Sequence, residues 1–298
     1  MGSNNRVCFI FNPSANGGKA SRDEAKIQHA ASGIWPGSKW LTTEPGESFW
    51  GKLKEEAGQY DMIVACGGDG TVHKTGNIAA DSGAVLGVIP LGSGNDFAKM
   101  NGIPDSPNRA LNLLNSGSRR SIDLIRCSGD INCWCLNSVG VGLDGLANRY
   151  TVAFKQKIGR SGYIFGALKA IFNSVPATVE MRIGDEEWIS KNLLMLTACI
   201  GYREGGRFIV APQARNDDGF MEILMVRPMN KLSLLLTLPQ FLLWFPSYIK
   251  KLERISCKNL ELTTDIPLHI HVDGEFTGQT VNQLSYTIHE KALTVAAG

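Results

Sequence analysis

The stretch Tyr60-Asp61-Met62-Ile63-Val64-Ala65-Cys66-Gly67-Gly68-Asp69-Gly70-Thr71 runs from an apolar segment into a glycine-rich loop and then into a helical pattern. The segment Tyr60 to Cys66 has the length and character of a buried strand, and the glycines end it. Glycine lets a backbone approach phosphate oxygens and present its amide groups, while a helix start adds favourable partial charge for an anion. Asp69 supplies what glycine cannot, a hard oxygen for Mg2+, directly or through water. The plainer reading of the same residues is a tight strand-to-helix turn with Asp69 as a cap.

Outward from this stretch the same unit repeats. Arg6 to Asn12 reads as a strand, Asn16-Gly17-Gly18 as a turn and Lys19 to Ala31 as a helix. Lys39 to Thr43 reads as a strand, Glu47 to Ala57 as a helix, and Ala84 to Pro90 as a further strand after another helix. Strands alternating with helices pair in parallel and predict a three-layer α/β domain. From about Arg120 the helices become sparse. Strand-like runs follow at Ser121 to Cys127, Ile131 to Val139, Thr178 to Ile183, Leu193 to Ile200, Phe220 to Val226 and Leu268 to Asp273. They predict a mainly antiparallel β domain, decorated by helical intervals near Lys155 to Phe172 and Lys231 to Lys251. The fold class is therefore α/β, with a nucleotide-binding domain over residues 1–126 and a β-rich domain over 127–283. The alternating segment Leu284 to Ala297 allows the tail, 284–298, to return to the first domain.

Two further loops follow predicted strands: Asn12-Pro13-Ser14-Ala15-Asn16-Gly17-Gly18 and Pro90-Leu91-Gly92-Ser93-Gly94-Asn95-Asp96-Phe97. Open parallel sheets place ligands at the carboxyl ends of their strands, so three such loops predict one polyanionic ligand. No Walker A loop is present, because Gly18-Lys19-Ala20 lacks both the distant glycine and the hydroxyl. A formal G-x-G-x-x-G occurs at Gly140, Gly142 and Gly145, but it lies beyond the α/β pattern. No acid follows it between Asp144 and Glu180 to hold a ribose, so a dinucleotide fold is rejected.

The bulk properties narrow the function. A net charge of +2 gives no electrostatic case for nucleic acid. Seven cysteines without a C-x-x-C pair read as reduced core residues of a cytoplasmic protein. The N-terminus carries no apolar secretory segment. The most apolar run, Leu232 to Ile249, is interrupted by Pro239 and Pro246 and is a poor spanning helix.

Taken together, Asn12 to Asn16, Gly67 to Thr71, Pro90 to Phe97, Ala211-Pro212 to Asp217-Asp218-Gly219-Phe220 and Val272-Asp273-Gly274-Glu275 resemble the motifs of diacylglycerol kinases, sphingosine kinases and their bacterial relatives. The resemblance spans nearly the whole chain. It implies an N-terminal α/β domain, a β-rich second domain and an active site in the cleft between them. It also implies an ATP- and Mg2+-dependent kinase for a lipid hydroxyl, with diacylglycerol favoured as substrate and phosphatidic acid as product. Asn12, Pro13, Ser14, Ala15, Asn16, Thr43, Gly67, Gly68, Asp69, Gly70, Thr71, Val72, His73 and Ser93 are implied to line the ATP site. Arg215, Asp218 and Phe220 are implied to hold a structural Mg2+, the first and last through main-chain carbonyls. Glu275 is the implied general base, with Asp273 second and Asp69 as a further catalytic carboxylate.

A bilayer substrate calls for peripheral, transient membrane contact. The acid-free span Leu146 to Val179, with Arg149, Lys155, Lys157, Arg160 and Lys169, and the apolar run Leu232 to Ile249 could supply it. A homodimer is left open. The rival readings are a kinase for a soluble acceptor such as NAD, and a nonenzymatic lipid-binding module on the same fold.

Overall fold

Alternation in the first strand sets the layers of the N-terminal unit. Cys8 and Ile10 of β1 (Val7–Phe11) pack with Leu53, Ala57, Ile63, Ile78 and Ala84 on one face of the sheet. Phe9 and Phe11 point the other way, and their rings lie 5.4 and 5.7 Å from the ring of Trp40. Because side chains alternate across a strand, an unbroken apolar run such as Val-Cys-Phe-Ile-Phe is covered on both faces. The computed structural model describes residues 6–158, 162–206, 208–242 and 251–298.

One compact unit comprises the chain up to Ile122 together with Lys291–Gly298; the other comprises Asp123–Glu290. The first unit continues from β1 through a short 3-10 turn, Lys19–Arg22, to α1 (Glu24–Ile34), β2 (Lys39–Thr42), α2 (Ser48–Glu56), β3 (Met62–Gly67), α3 (Asp69–Ser82), β4 (Val85–Pro90), α4 (Asp96–Met100) and α5 (Pro107–Ser116). The single helix expected from Lys19 is thus two pieces, since Gly18 enters the 3-10 turn at φ 82° and does not start an α-helix. The four strands are parallel in the order β2-β1-β3-β4. Val295 adds the chain's last strand beside Leu86 of β4, also in parallel.

β5 (Arg120–Gly129) leads into the second unit, which contains β6 (Cys133–Cys135), β7 (Ser138–Gly142), α6 (Leu143–Ile158), α7 (Gly162–Asn173), β8 (Ala177–Ile183), β9 (Ile189–Leu193), β10 (Met195–Cys199), β11 (Arg203–Glu204), β12 (Phe208–Ile209), β13 (Met221–Val226), α8 (Lys231–Leu242), β14 (Leu252–Cys257), β15 (Asn259–Val272) and β16 (Glu275–Val295). Its main path, β14-β13-β10-β7-β15-β16, is antiparallel. Apart from residues 268–273 and 284 onward, β14, β15 and β16 carried no strand signal in the sequence reading. Polar residues such as Glu261, Thr263, Gln279 and Asn282 break the apolar pattern there. All seven cysteines are free, and six are buried. Among the described residues no helix is long and apolar enough to cross a membrane.

Candidate active site

In the strand order β2-β1-β3-β4 the chain moves one way from β1 and then returns to its other side, so the topological switch lies between β1 and β3. Such switch points are where open α/β sheets leave a crevice for ligands. Two of the predicted loops meet there. Asn12 follows β1, and its side-chain amide donates to the Thr71 hydroxyl in the first turn of α3 at 2.9 Å. Its carbonyl oxygen Oδ1 accepts the Ser14 N–H at 3.0 Å, which closes the turn over Pro13. Ala15 is buried beneath the loop, while Asn16, Gly17 and Gly18 are exposed and left-handed, at φ 52°, 67° and 82°. A Cβ on Gly17 or Gly18 would meet nothing within 4 Å, so this rim is open. Thr43 joins the group through its N–H, which donates to the Phe11 carbonyl at 2.8 Å. The hydroxyl of neighbouring Thr42 is instead bonded to Glu24.

The second and third loops are packed backbone against backbone. A Cβ on Gly92 would sit 2.5 Å from the Gly68 Cα, and one on Gly67 would strike the Thr71 side chain, so these positions must be glycine before any ligand is considered. The Leu91 N–H donates to the Gly67 carbonyl at 2.8 Å. Asp69 fixes the pair of loops: it accepts the N–H of Asn95 at 2.8 Å on Oδ2 and those of Asp96 and Phe97 at 2.7 and 3.4 Å on Oδ1. It therefore caps α4, not its own helix. Burial pushes the Asp69 carboxyl up from its ordinary value, against the opposing pull of these amides. Both of its oxygens accept main-chain N–H groups. Gly70 and His73 are half-buried at the start of α3, where Val72 is buried, and Ser93 is half-buried on the loop after β4.

In the second unit, Val272 pairs with Glu275 across the two-residue turn Asp273-Gly274. Both turn residues are left-handed, at φ 53° and 77°. This is the type I′ geometry that suits the twist of a hairpin and favours Asp-Gly. The two candidate bases are separated by that turn. Asp273 is buried, and its carboxylate accepts the N–H groups of Leu136, Asn137 and Ser138 at 3.0, 2.7 and 3.2 Å. Glu275 is exposed at the start of β16. Asp273 is thus an anchor for the turn, and of the two carboxylates Glu275 is the exposed one.

The Arg215, Asp218 and Phe220 positions lie on the loop before β13. Asp218 is exposed, and its Oδ1 accepts the Phe220 N–H at 3.1 Å. The loop is held from below by Asp123, which accepts the Gly219 N–H at 2.8 Å, a residue the sequence reading passed over as one acid within a strand.

A cluster of charged groups that the sequence did not assemble is built under the Asp273 turn. Nε2 of His271 lies 3.1 Å from Asp144 Oδ2 and 3.7 Å from Glu204 Oε1. Thr197 donates to the same Asp144 oxygen at 2.6 Å, and Ser138 donates to Glu204. Burial by itself would lower the His271 pKa, but the Asp144 and Glu204 carboxylates overcome it and push it up to about 9. Against the opposing effect of desolvation, half-buried Asp144 is held below its ordinary value by His271. The glycines of the formal G-x-G-x-x-G explain themselves here. A Cβ on Gly140 would lie 2.6 Å from His271 Nε2, and one on Gly145 would lie 2.6 Å from the Ile270 nitrogen. They are packing glycines.

Residues 6–127 match the family model described as the diacylglycerol kinase catalytic domain. Residues 137–297, more than half of the chain, match the YegS C-terminal NAD kinase beta sandwich-like domain. A protein named "Probable lipid kinase YegS-like" from Chromohalobacter salexigens is 31% identical over 79% of this chain and 76% of its own length. The chain belongs to the YegS-like lipid kinase family. Another member of this wider group, named diacylglycerol kinase, from Bacillus subtilis, is 26% identical over 76% of this chain and 75% of its own length. A crystal structure of a diacylglycerol kinase from Bacillus anthracis superposes with a TM-score of 0.72 at 19% identity, covering 99% of this chain and 97% of that one. An NAD kinase from Archaeoglobus fulgidus, solved with ATP, shares the fold of this YegS-like chain at a TM-score of 0.51 and 12% identity, over 97% of this chain and 92% of that one.

Proposed function

We propose that this YegS-like kinase transfers the γ-phosphoryl group of ATP to the free hydroxyl of a membrane-derived lipid, diacylglycerol first among the candidates, to give phosphatidic acid. The observation that carries the reading is the Asn12–Thr71 hydrogen bond across the switch point, with the open glycine rim of Asn16, Gly17 and Gly18 beside it. It gathers one polar, amide-rich crevice from loops that are distant in sequence. Phosphoryl transfer asks chiefly for such positioning and for charge neutralisation. Glu275, exposed on a rigid two-residue hairpin, is suited to orient the lipid hydroxyl and take its proton. The donor set of Asp218 with the main-chain carbonyls of Arg215 and Phe220 has the hard-oxygen chemistry of Mg2+, which would lock the Asp217–Phe220 loop in place.

Membrane contact is the second part of the proposal. Ile164 and Phe165 of α7, Phe172 at its end and Leu232 and Leu236 of α8 are exposed. α7 and α8 share a small core of Ile171, Leu194 and Leu234, so these apolar side chains belong to neighbouring helices. The acid-free run from Leu146 to Val179 supplies Arg149 and Lys169; Arg160 and the side chains of Lys155 and Lys157 lie outside the described residues, as do residues 243–250 of the apolar run. Such a surface suits an anionic interface.

The test is transfer of labelled γ-phosphate from Mg-ATP to diacylglycerol, monoacylglycerol, sphingosine and ceramide in mixed micelles, with NAD as a soluble acceptor. Labelling of one lipid, lost in Glu275→Gln, is the expected result. Labelling of NAD alone would overturn the lipid reading in favour of the fold relative.

A further inference from the structure

The hairpin turn that carries Glu275 is gripped at almost every polar atom. Asp273 is held through its carboxylate, as above, and its own N–H donates to the Ser138 carbonyl at 2.7 Å. Asn148 of α6 donates its side-chain amide to the Gly274 carbonyl at 2.5 Å. The Gly274 N–H donates to Nδ1 of His271 at 3.3 Å. We propose that His271 is a positioning residue for Glu275, holding the turn through a bare Nδ1 while Asp144 and Glu204 govern the proton on Nε2. This inference rests on the reading of Glu275 as the base.

The tautomer follows from the donor. A ring nitrogen that accepts an N–H carries no proton, so in this geometry the single proton of His271 is on Nε2, facing the two carboxylates. Asp144, Glu204 and His271 are near enough to one another to suggest a metal site. A neutral ring with its proton on Nε2 has no lone pair there to give, so the Gly274 bond argues against one. The charged and titratable groups around the ring are Asp144 from α6, Glu204 from β11 and Asp273 beyond the next residue of its own strand, with the Cys199 thiol near the two carboxylates. The carboxylates favour a doubly protonated ring. The turn favours a singly protonated one, because a proton on Nδ1 would oppose the Gly274 N–H. Gain of that proton should release the turn, and loss of it should close it.

The experiment uses the full chain and compares His271→Asn, His271→Gln and His271→Ala, with Asn148→Ala as a variant outside the buried cluster. An asparagine oxygen can stand near Nδ1 and a glutamine amide near Nε2. Above pH about 9, where the ring of the unaltered protein keeps a single proton, hydrogen exchange of the Gly274 amide should stay slow in His271→Asn and quicken at least tenfold in His271→Gln, His271→Ala and Asn148→Ala. In lipid phosphorylation at that pH kcat should fall in the same order while the KM for nucleotide holds. Corrected for intrinsic exchange, Gly274 protection in the unaltered protein should rise with pH in one step, and Asp144→Asn should move that step to lower pH. Exchange at Gly274 that ignores all four variants, or glutamine preserving what asparagine loses, would overturn the proposal. So would one equivalent of a transition metal, by elemental analysis of the purified protein, that His271→Ala removes. If Glu275→Gln retains activity, the base assignment fails instead, and Gly274 exchange still judges the grip on the turn.

Discussion

The glycine loops of the first unit and the Asp273 turn of the second solve one problem, holding a loop still, by opposite means. In the first, rigidity comes from close approach of bare backbone: Gly68 against Gly92, with a single carboxylate, Asp69, over three amides. In the second it comes from ionisable side chains drawn together: Asp144 and Glu204 face His271 and accept the hydroxyls of Thr197 and Ser138, while Asp273 accepts main-chain amides. The contrast teaches where each site is vulnerable. The first breaks through volume, because a methyl group has no room; the second breaks through protons, because a buried charge without its partner is costly.

The largest effect should come from Glu275→Gln, which tests whether the second region carries the chemistry at all. Its kcat should fall by roughly 10²–10⁴-fold, the usual worth of a general base, with an unchanged melting temperature because the side chain is exposed. Next, Gly92→Ala should cost about 1–3 kcal/mol of stability and weaken nucleotide binding, since the new Cβ would meet backbone that cannot yield. Gly17→Ala, with open space and only its φ of 67° against it, should cost about 1 kcal/mol. Urea unfolding and nucleotide titration of the two variants would separate packing from backbone strain. Equal losses would break the account of the first region.

Asn12→Ala removes one hydrogen bond across the switch point and should cost about 0.5–1.5 kcal/mol in stability, with a raised KM for nucleotide. The pH dependence sharpens the other side. Because the His271 pKa is raised to about 9, its contribution to stability is full below its unfolded value and is lost as pH rises through about 9. Asp144 is depressed, so its contribution is present above the ordinary carboxylate range and is lost as pH falls. Denaturation midpoints should therefore decline toward alkaline pH, and Asp144→Asn should flatten that decline. A midpoint that is level across pH 7 to 10 would show that the ionised pair does not support the second unit.

The first region was legible because its signals are local. A strand, a glycine pair and a helix start follow each other within twelve residues from Tyr60 to Thr71, and short-range sterics dictate what each must do. Even so, the plainer reading had Asp69 cap its own helix, whereas it caps α4, some 27 residues on. That partner exists only once β3 and β4 lie side by side. The second region offered less. His271 was visible beside the Asp273-Gly274-Glu275 motif, but Asp144, Asn148 and Glu204 stood as ordinary polar residues in separate segments.

By itself the sequence determined the α/β class, the three glycine loops and the family, because hydrophobic period and turn chemistry are written residue by residue. The tertiary structure alone decided which carboxylates meet which donors. Gly140 lies opposite both His271 and Thr197 through strand register, and only that register opens the space in which Asp144 reaches the histidine. Register is set by the fit of whole strands across a sheet, and no local run of residues contains it.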